Sequence, residues 1–233
     1  MSKGHLANLF QVFKQRMIDL YQSDPRLRYI LVFKNYGPAA GGSIPHTHSQ
    51  LIATPVIPEN IQAEVESSAR HFTSRCRCIF CTLIDEALTF EATIYNKDSG
   101  EIHRRIDVGQ YVVEKGEHFV AIKPFASLFE WEIHILPLHH QADFCLASDE
   151  ELADFASVLK NVMARLDTVL GGAQYNFYLH TLPHGDAYSN CQDSYHWHLE
   201  ICPRTSIPTG FELGSGFFIN SVSPDGATRR TVR

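Results

Sequence analysis

Two segments of this 233-residue chain follow the same plan, and that repetition restricts the fold more than any other feature. In each, a helix-forming stretch leads to a short β-rich run, then a loop, then a His-x-His pair. The first copy has Tyr29 to Phe33 followed by His46-Thr47-His48. The second has Tyr175 to Leu179 followed by His196-Trp197-His198. Self-similarity of this sort marks one supersecondary unit used twice. Units mixing helices with antiparallel strands give an α+β fold. Only the C-terminal half of the plan is present in the first copy. The expected division is therefore residues 1–72, a half repeat, and residues 73–233, a complete repeat with a C-terminal tail.

Local patterns fill in the elements. Leu6, Leu9, Phe10, Phe13, Met17, Leu20 and Tyr21 recur at helical spacing, which predicts a helix over 5–23 that stops at Asp24-Pro25. Residues 46–54 alternate and read as a strand, and 58–72 as a helix. Cys78 to Leu88 reads as a turn running into a short helix. Further strands are expected at 111–113, 119–122, 132–136, 174–180 and 195–202, with one more over 210–219. Ser148 with Glu151 three residues on forms a capping box. The helix it opens should end at Gly171-Gly172.

Bulk properties exclude some functions. The net charge of −6 argues against a chain that tracks nucleic acid backbone. No run of 18 apolar residues suggests a membrane span, and Met1 to His5 does not lead into an apolar signal core. The expected location is cytoplasmic. There the six cysteines read as metal ligands and buried thiols rather than disulfides.

The chemistry concentrates in two places. Gly37 to Ser43 is a loop of small residues, whose main-chain N–H groups can approach an anion closely. It leads to His46, His48 and Gln50, which on a strand would share one face. A neutral imidazole there can attack the α-phosphorus of a nucleotide sugar and form a nucleotidyl-histidine. Gln50 can donate to a phosphoryl oxygen as charge shifts. Separately, Cys78-Ile79-Phe80-Cys81 is half of a tetrahedral zinc site, which histidines must complete.

The stretch from Phe33-Lys34-Asn35-Tyr36-Gly37 through Gln50 resembles the active-site signature of galactose-1-phosphate uridylyltransferases, a branch of the histidine-triad superfamily. The likeness extends from about residue 6 to residue 224. It implies a histidine-triad-like antiparallel sheet with helices, one complete repeat plus the C-terminal half of another. It also implies His48 as the nucleophile, His46 as a zinc ligand, and Asn35, Gly41, Ser43 and Gln50 around the phosphates. By the same resemblance Cys78, Cys81, His118 and His196 hold a structural Zn2+. Phe211 and Glu212 match positions that reach the sugar. Glu64, His180, His198 and Glu200 are left as a candidate set for a second metal. Glu200 stands where Gln50 stands in the first copy, and a carboxylate there would repel phosphate.

The implied substrates are a nucleotide sugar and a hexose 1-phosphate, with UMP moving from UDP-glucose to galactose 1-phosphate. The implied assembly is a homodimer. Members of the family carry a further N-terminal part with its own C-x₂-C, and a separate chain supplying that part is a second expectation. The tail around Gly210-Phe211-Glu212 also resembles ADP-glucose phosphorylases, so the base and the acceptor stay open. So does a non-catalytic nucleotide-binding remnant.

Overall fold

The computed structural model describes residues 1–89, 91–107 and 111–232. Helix α1 (Lys3–Ser23) is capped by Ser2, whose hydroxyl accepts the His5 N–H, and it buries Phe10, Phe13 and Met17. Strand β1 (Tyr29–Tyr36) follows, then β2 (Gln50–Thr54), α2 (Glu59–Arg75) and α3 (Ile79–Thr89). A hairpin of β3 (Glu91–Tyr95) and β4 (Ile102–Asp107) stands apart as a two-stranded sheet. Strands β5 (Val112–Lys115), β6 (Phe119–Ile122) and β7 (Ile133–Pro137) form a meander. Next come α4 (Asp149–Leu170), β8 (Tyr175–His180) and β9 (His198–Pro203), then the short helices α5 (Gly210–Ser215) and α6 (Pro224–Val232).

Seven strands make one sheet in the order β2-β1-β8-β9-β7-β6-β5, and every pairing is antiparallel. The segments 1–72 and 73–233 thus share a sheet. They also share a core, in which α1 and α4 cover one face over Ile30, Val32, Leu199 and Ile201, with Trp197 fully buried among Phe119, Phe144 and Phe155. On the other face α2 packs Ile61 and Val65 against Tyr29 and Tyr195, and α3 packs Ile84 and Ala87 against Val120, Ile122 and Leu136.

The register makes the repeat explicit. Phe33 pairs with Gln50, and Tyr178 pairs with Glu200. Phe33 and Tyr178 therefore occupy equivalent positions in the two copies, and they pair with each other across β1 and β8. Val32 with Leu179 and Lys34 with Phe177 are exchanged by the same operation. A pseudo-two-fold axis thus passes through the Phe33–Tyr178 pair. In the second copy β9 is flanked by β7. In the first, β2 has no strand on its outer side among the described residues.

Two expectations need correction. The strand expected over 46–54 begins only at Gln50, and His46 to Ser49 precede it as irregular chain. The Lys34 ammonium, donating to Thr47 Oγ1 at 2.6 Å and to the His48 carbonyl at 3.0 Å, holds this segment where ladder bonds would otherwise run. The strand expected over 210–219 is instead α5 and an extended tail. Thr209 and Glu212 form a capping box that starts the helix, and Gly216 in the left-handed conformation ends it.

Candidate functional site

One face of the sheet carries the reactive residues. Side chains of directly paired residues project to the same side. Gln50, Phe33, Tyr178, Glu200 and His134 form one such row across five strands. His180 and His198 pair in the next row, and Asn35 and Asn176 in the row on the other side.

At the first His-x-His the ring orientation is fixed. His48 Nδ1 lies 2.8 Å from the His46 carbonyl oxygen. A carbonyl only accepts, so Nδ1 carries the hydrogen and Nε2 keeps its lone pair. His48 is half-buried, while His46 and Gln50 are exposed. Lys34, 8% exposed, anchors the same segment from below, and burial holds its ammonium below the usual lysine range.

The loop before it is tight. Gly37 has φ 86°, and a Cβ there would stand 2.5 Å from the Gln174 side chain. A Cβ on Gly42 would meet the Gly37 carbonyl at 2.9 Å. Gly41, also at positive φ, and Ser43 lie exposed on this loop. Asn176 Nδ2 donates to Asn35 Oδ1 at 2.7 Å and to the Ala40 carbonyl at 2.9 Å. That leaves the Asn35 amide hydrogens for a bound group. Asn35, Phe33, Asn176, Tyr178 and Arg204 line a cavity of about 200 Å3 on this face. Arg204 went unnoticed in the sequence, where it is one arginine just past a strand. A larger cavity of about 630 Å3 lies on the helical face and meets His48 and Ser49 from behind.

The second His-x-His repeats the first but closes it off. His198 Nδ1 is 3.0 Å from the His196 carbonyl, the same internal bond. Its Nε2 stands 3.3 Å from Glu200 and 3.4 Å from Glu64, and the residue is 1% exposed. Burial opposes a charge on His198, but Glu64 and Glu200 outweigh it and raise its pKa to about 9. Glu64 reaches in from α2, accepting from His180 Nδ1 at 2.9 Å and from the Tyr195 hydroxyl at 3.0 Å.

Cys78, Cys81, His140 and His196 converge, with their ligand atoms all within 4.8 Å of one another. His140 Nε2 donates to the Gln192 carbonyl at 2.8 Å and His196 Nε2 to the Pro137 carbonyl at 3.0 Å. Both imidazoles therefore turn a Nδ1 lone pair toward Cys81, at 3.3 and 3.7 Å. A hydrogen bond from Cys81, aided by His196, holds the Cys78 thiol well below its ordinary range, although burial opposes this. Two thiols and two correctly turned imidazoles suit tetrahedral zinc.

His140 takes the place expected for His118. The turn bearing His118 is pinned to α4 by Asp154, which accepts the main-chain N–H groups of His118 and Phe119. The loop bearing His140 instead lies beside the second His-x-His, where Trp197 N–H donates to the Gln141 carbonyl at 3.0 Å. His46 does not join these ligands. Neither Phe211 nor Glu212 lines the two cavities described, and the Glu212 carboxylate is engaged in capping α5.

Residues 1–57 match a family model described as a domain of unknown function (DUF4931), N-terminal domain. ADP-glucose phosphorylase of Arabidopsis thaliana is 29% identical over 224 residues, which is 96% of this chain and 57% of that protein. Galactose-1-phosphate uridylyltransferase of Thermotoga maritima is 28% identical, covering 99% of this chain and 67% of that protein. The crystal structure of the Arabidopsis ADP-glucose phosphorylase with bound ADP-glucose superposes with a TM-score of 0.84 at 27% identity, over 100% of this chain and 68% of that one. This chain therefore spans little more than half the length of the plant relative by sequence. No described helix is long and apolar enough to cross a membrane.

Proposed function

We propose, from kinship with these sugar-nucleotide enzymes, that the chain carries the catalytic part of a nucleotidyltransferase acting through His48. The single observation behind this reading is the His48 ring itself, half-buried at the mouth of the larger cavity with Nδ1 tied to the His46 carbonyl and the Nε2 lone pair free. Nε2 attacks the α-phosphorus of a nucleoside diphosphate hexose. The new P–N bond forms as the P–O bond to hexose 1-phosphate breaks, and hexose 1-phosphate leaves. A phosphate oxygen of the acceptor then attacks the same phosphorus and breaks the P–N bond. With galactose 1-phosphate as acceptor and UDP-glucose as donor, the net reaction is uridylyl transfer. With inorganic phosphate and ADP-glucose it is phosphorolysis. Asn35, Gly41, Ser43 and Gln50 surround the phosphates. Arg204 supplies a cation beside the sugar phosphate, while Phe211 and Glu212, which lie outside both cavities, would meet the sugar across a homodimer interface.

Zinc at Cys78, Cys81, His140 and His196 is structural in this reading, since a closed set of four leaves no open position. Glu64, His180 and His198 form a fitting set for a second ion. His46 is a further zinc ligand only if other polypeptide brings cysteines to it. The outer edge of β2, unpaired among the described residues, supports such an addition, because β7 fills the equivalent place beside β9. A homodimer or a separate chain would each provide it.

Parallel incubation with radiolabelled UDP-glucose and ADP-glucose tests the proposal. The expected product is an acid-labile, base-stable phosphoramidate at His48 from one of the two. Full labelling of a His48→Asn protein would sink the assignment. Binding of a nucleotide sugar with no labelling would make the chain a nucleotide-binding remnant.

A further inference from the structure

The loop from Gly37 to Ser43 takes its shape partly from the second copy. Ala40 and Gly42 N–H donate to the Gly37 carbonyl, and Gly41 N–H donates to the Pro38 carbonyl. Ala39 N–H instead crosses to Gln174, just before β8, and donates to its Oε1 at 2.5 Å. Gly37 is seated against the same side chain, with no room for a Cβ. Asn176, half-buried two residues on, donates through Nδ2 to the Ala40 carbonyl and to Asn35 Oδ1.

A carbonyl only accepts, so the Ala40 carbonyl fixes which end of the Asn176 amide carries the hydrogens. That in turn fixes Asn35, which must present its oxygen to Asn176 and its own NH2 elsewhere. Without Asn176 the Asn35 amide is free to turn its oxygen toward a phosphate, and oxygen repels oxygen. The arrangement runs in one direction. The operation that exchanges Phe33 with Tyr178 sets Tyr29 against Gln174 and Leu31 against Asn176. Tyr29 and Leu31 have no amide side chain to lend, and they pack in the apolar cluster around Ile61 and Val65.

We infer that Gln174 and Asn176 are positioning residues, which act through Asn35 and the loop on the phosphates of the nucleotide sugar. The inference rests on the transfer reading above for its ligand. It gives the second copy a part in the reaction although its own His-x-His is closed off.

The two amides are used in opposite senses, which makes the test specific. Gln174 accepts, so Gln174→Glu keeps its bond and Gln174→Leu removes it. Asn176 donates, so Asn176→Asp removes both of its bonds at almost unchanged size. The readouts are the Kd for UDP-glucose and ADP-glucose, the rate of His48 labelling, hydrogen exchange at the Ala39 amide, and the melting temperature. Gln174→Leu and Asn176→Asp should each weaken binding about tenfold or more and slow labelling further, while Gln174→Glu stays within about threefold of the native protein. Exchange at the Ala39 amide should quicken in Gln174→Leu and not in Gln174→Glu. Native binding and labelling in Gln174→Leu and Asn176→Asp would overturn the inference and leave His48 standing. So would losses that simply follow the melting temperature across the three variants. If the native protein binds without labelling, transfer falls and the ranking of affinities still decides the inference. No binding by the native protein would overturn both.

Discussion

Lys34 and Arg204 are single cations with different tasks. Lys34 does not face the open side of the sheet. It holds the nucleophile segment from beneath, through Thr47 and the His48 carbonyl. Lys34→Met should slow His48 labelling by about tenfold, or roughly 1.4 kcal/mol of barrier, with little change in nucleotide affinity. Lys34→Arg should recover part of that rate. Arg204 lines the small cavity, with its guanidinium 5.1 Å from the centre of the Phe129 ring. Arg204→Leu should raise the KM for the sugar phosphate about tenfold or more and leave kcat less affected, because it removes a charge that binds ground and transition states alike. Lys123 is a third case. It is 2% exposed, burial lowers its pKa to about 8, and Glu132 acts in the opposite direction. Between pH 8 and the unfolded value near 10.4, the unfolded chain binds a proton that the folded chain does not, so this residue's contribution to stability rises with pH. The stability of the native protein relative to Lys123→Met should rise across that window by on the order of 2–3 kcal/mol. Urea titrations at pH 7.5, 9 and 10.5 measure it, and a flat difference would mean the ammonium stays charged.

The elements differ in how readily the sequence announced them. Helix α4 carries its own instructions: the Ser148–Glu151 box at one end and Gly171 in the left-handed conformation at the other. Ser148→Ala should cost about 1 kcal/mol, read as a lower melting temperature. The alternation of Phe211, Leu213, Phe217 and Ile219 points to a strand where the α5 turn forms instead. Yet Thr209-x-x-Glu212 is a legible helix start, since both halves of the capping box form. The β3–β4 hairpin has a legible turn, since Asn96 to Gly100 is rich in turn residues and Asn96 Oδ1 accepts the Asp98 N–H there. His48, Gln50 and the cysteine pair could be found because their spacing is local. His140 could not, since its place depends on how a loop after β7 settles against a segment more than fifty residues later. The zinc element gives the sharpest discrimination. Cys78→Ser, Cys81→Ser and His140→Ala should each lose zinc with a large fall in melting temperature, while His118→Ala should retain it. Metal analysis of the four proteins decides the ligand set.

At the scale of the whole molecule, β2 has no strand on its outer side among the described residues. Ile52 is 50% exposed on that strand and Val56 is 70% exposed just beyond it. An edge with apolar side chains invites pairing with another chain. Ile52→Lys should reduce self-association in sedimentation experiments with little change in melting temperature, because half of the residue already faces solvent. An unchanged sedimentation profile would place the contact elsewhere. The pseudo-two-fold axis has a consequence in time as well. Strand β1 joins the rest of the sheet through β8, which begins at residue 175. During synthesis at about 5–20 residues per second, the N-terminal segment therefore waits roughly 7–30 s for its neighbour to emerge. Until then Ile30 and Val32 have only α1 and β2 to cover them. The chain is thus most at risk of misassociation while it is still on the ribosome, and chaperone dependence should centre on the first sixty residues.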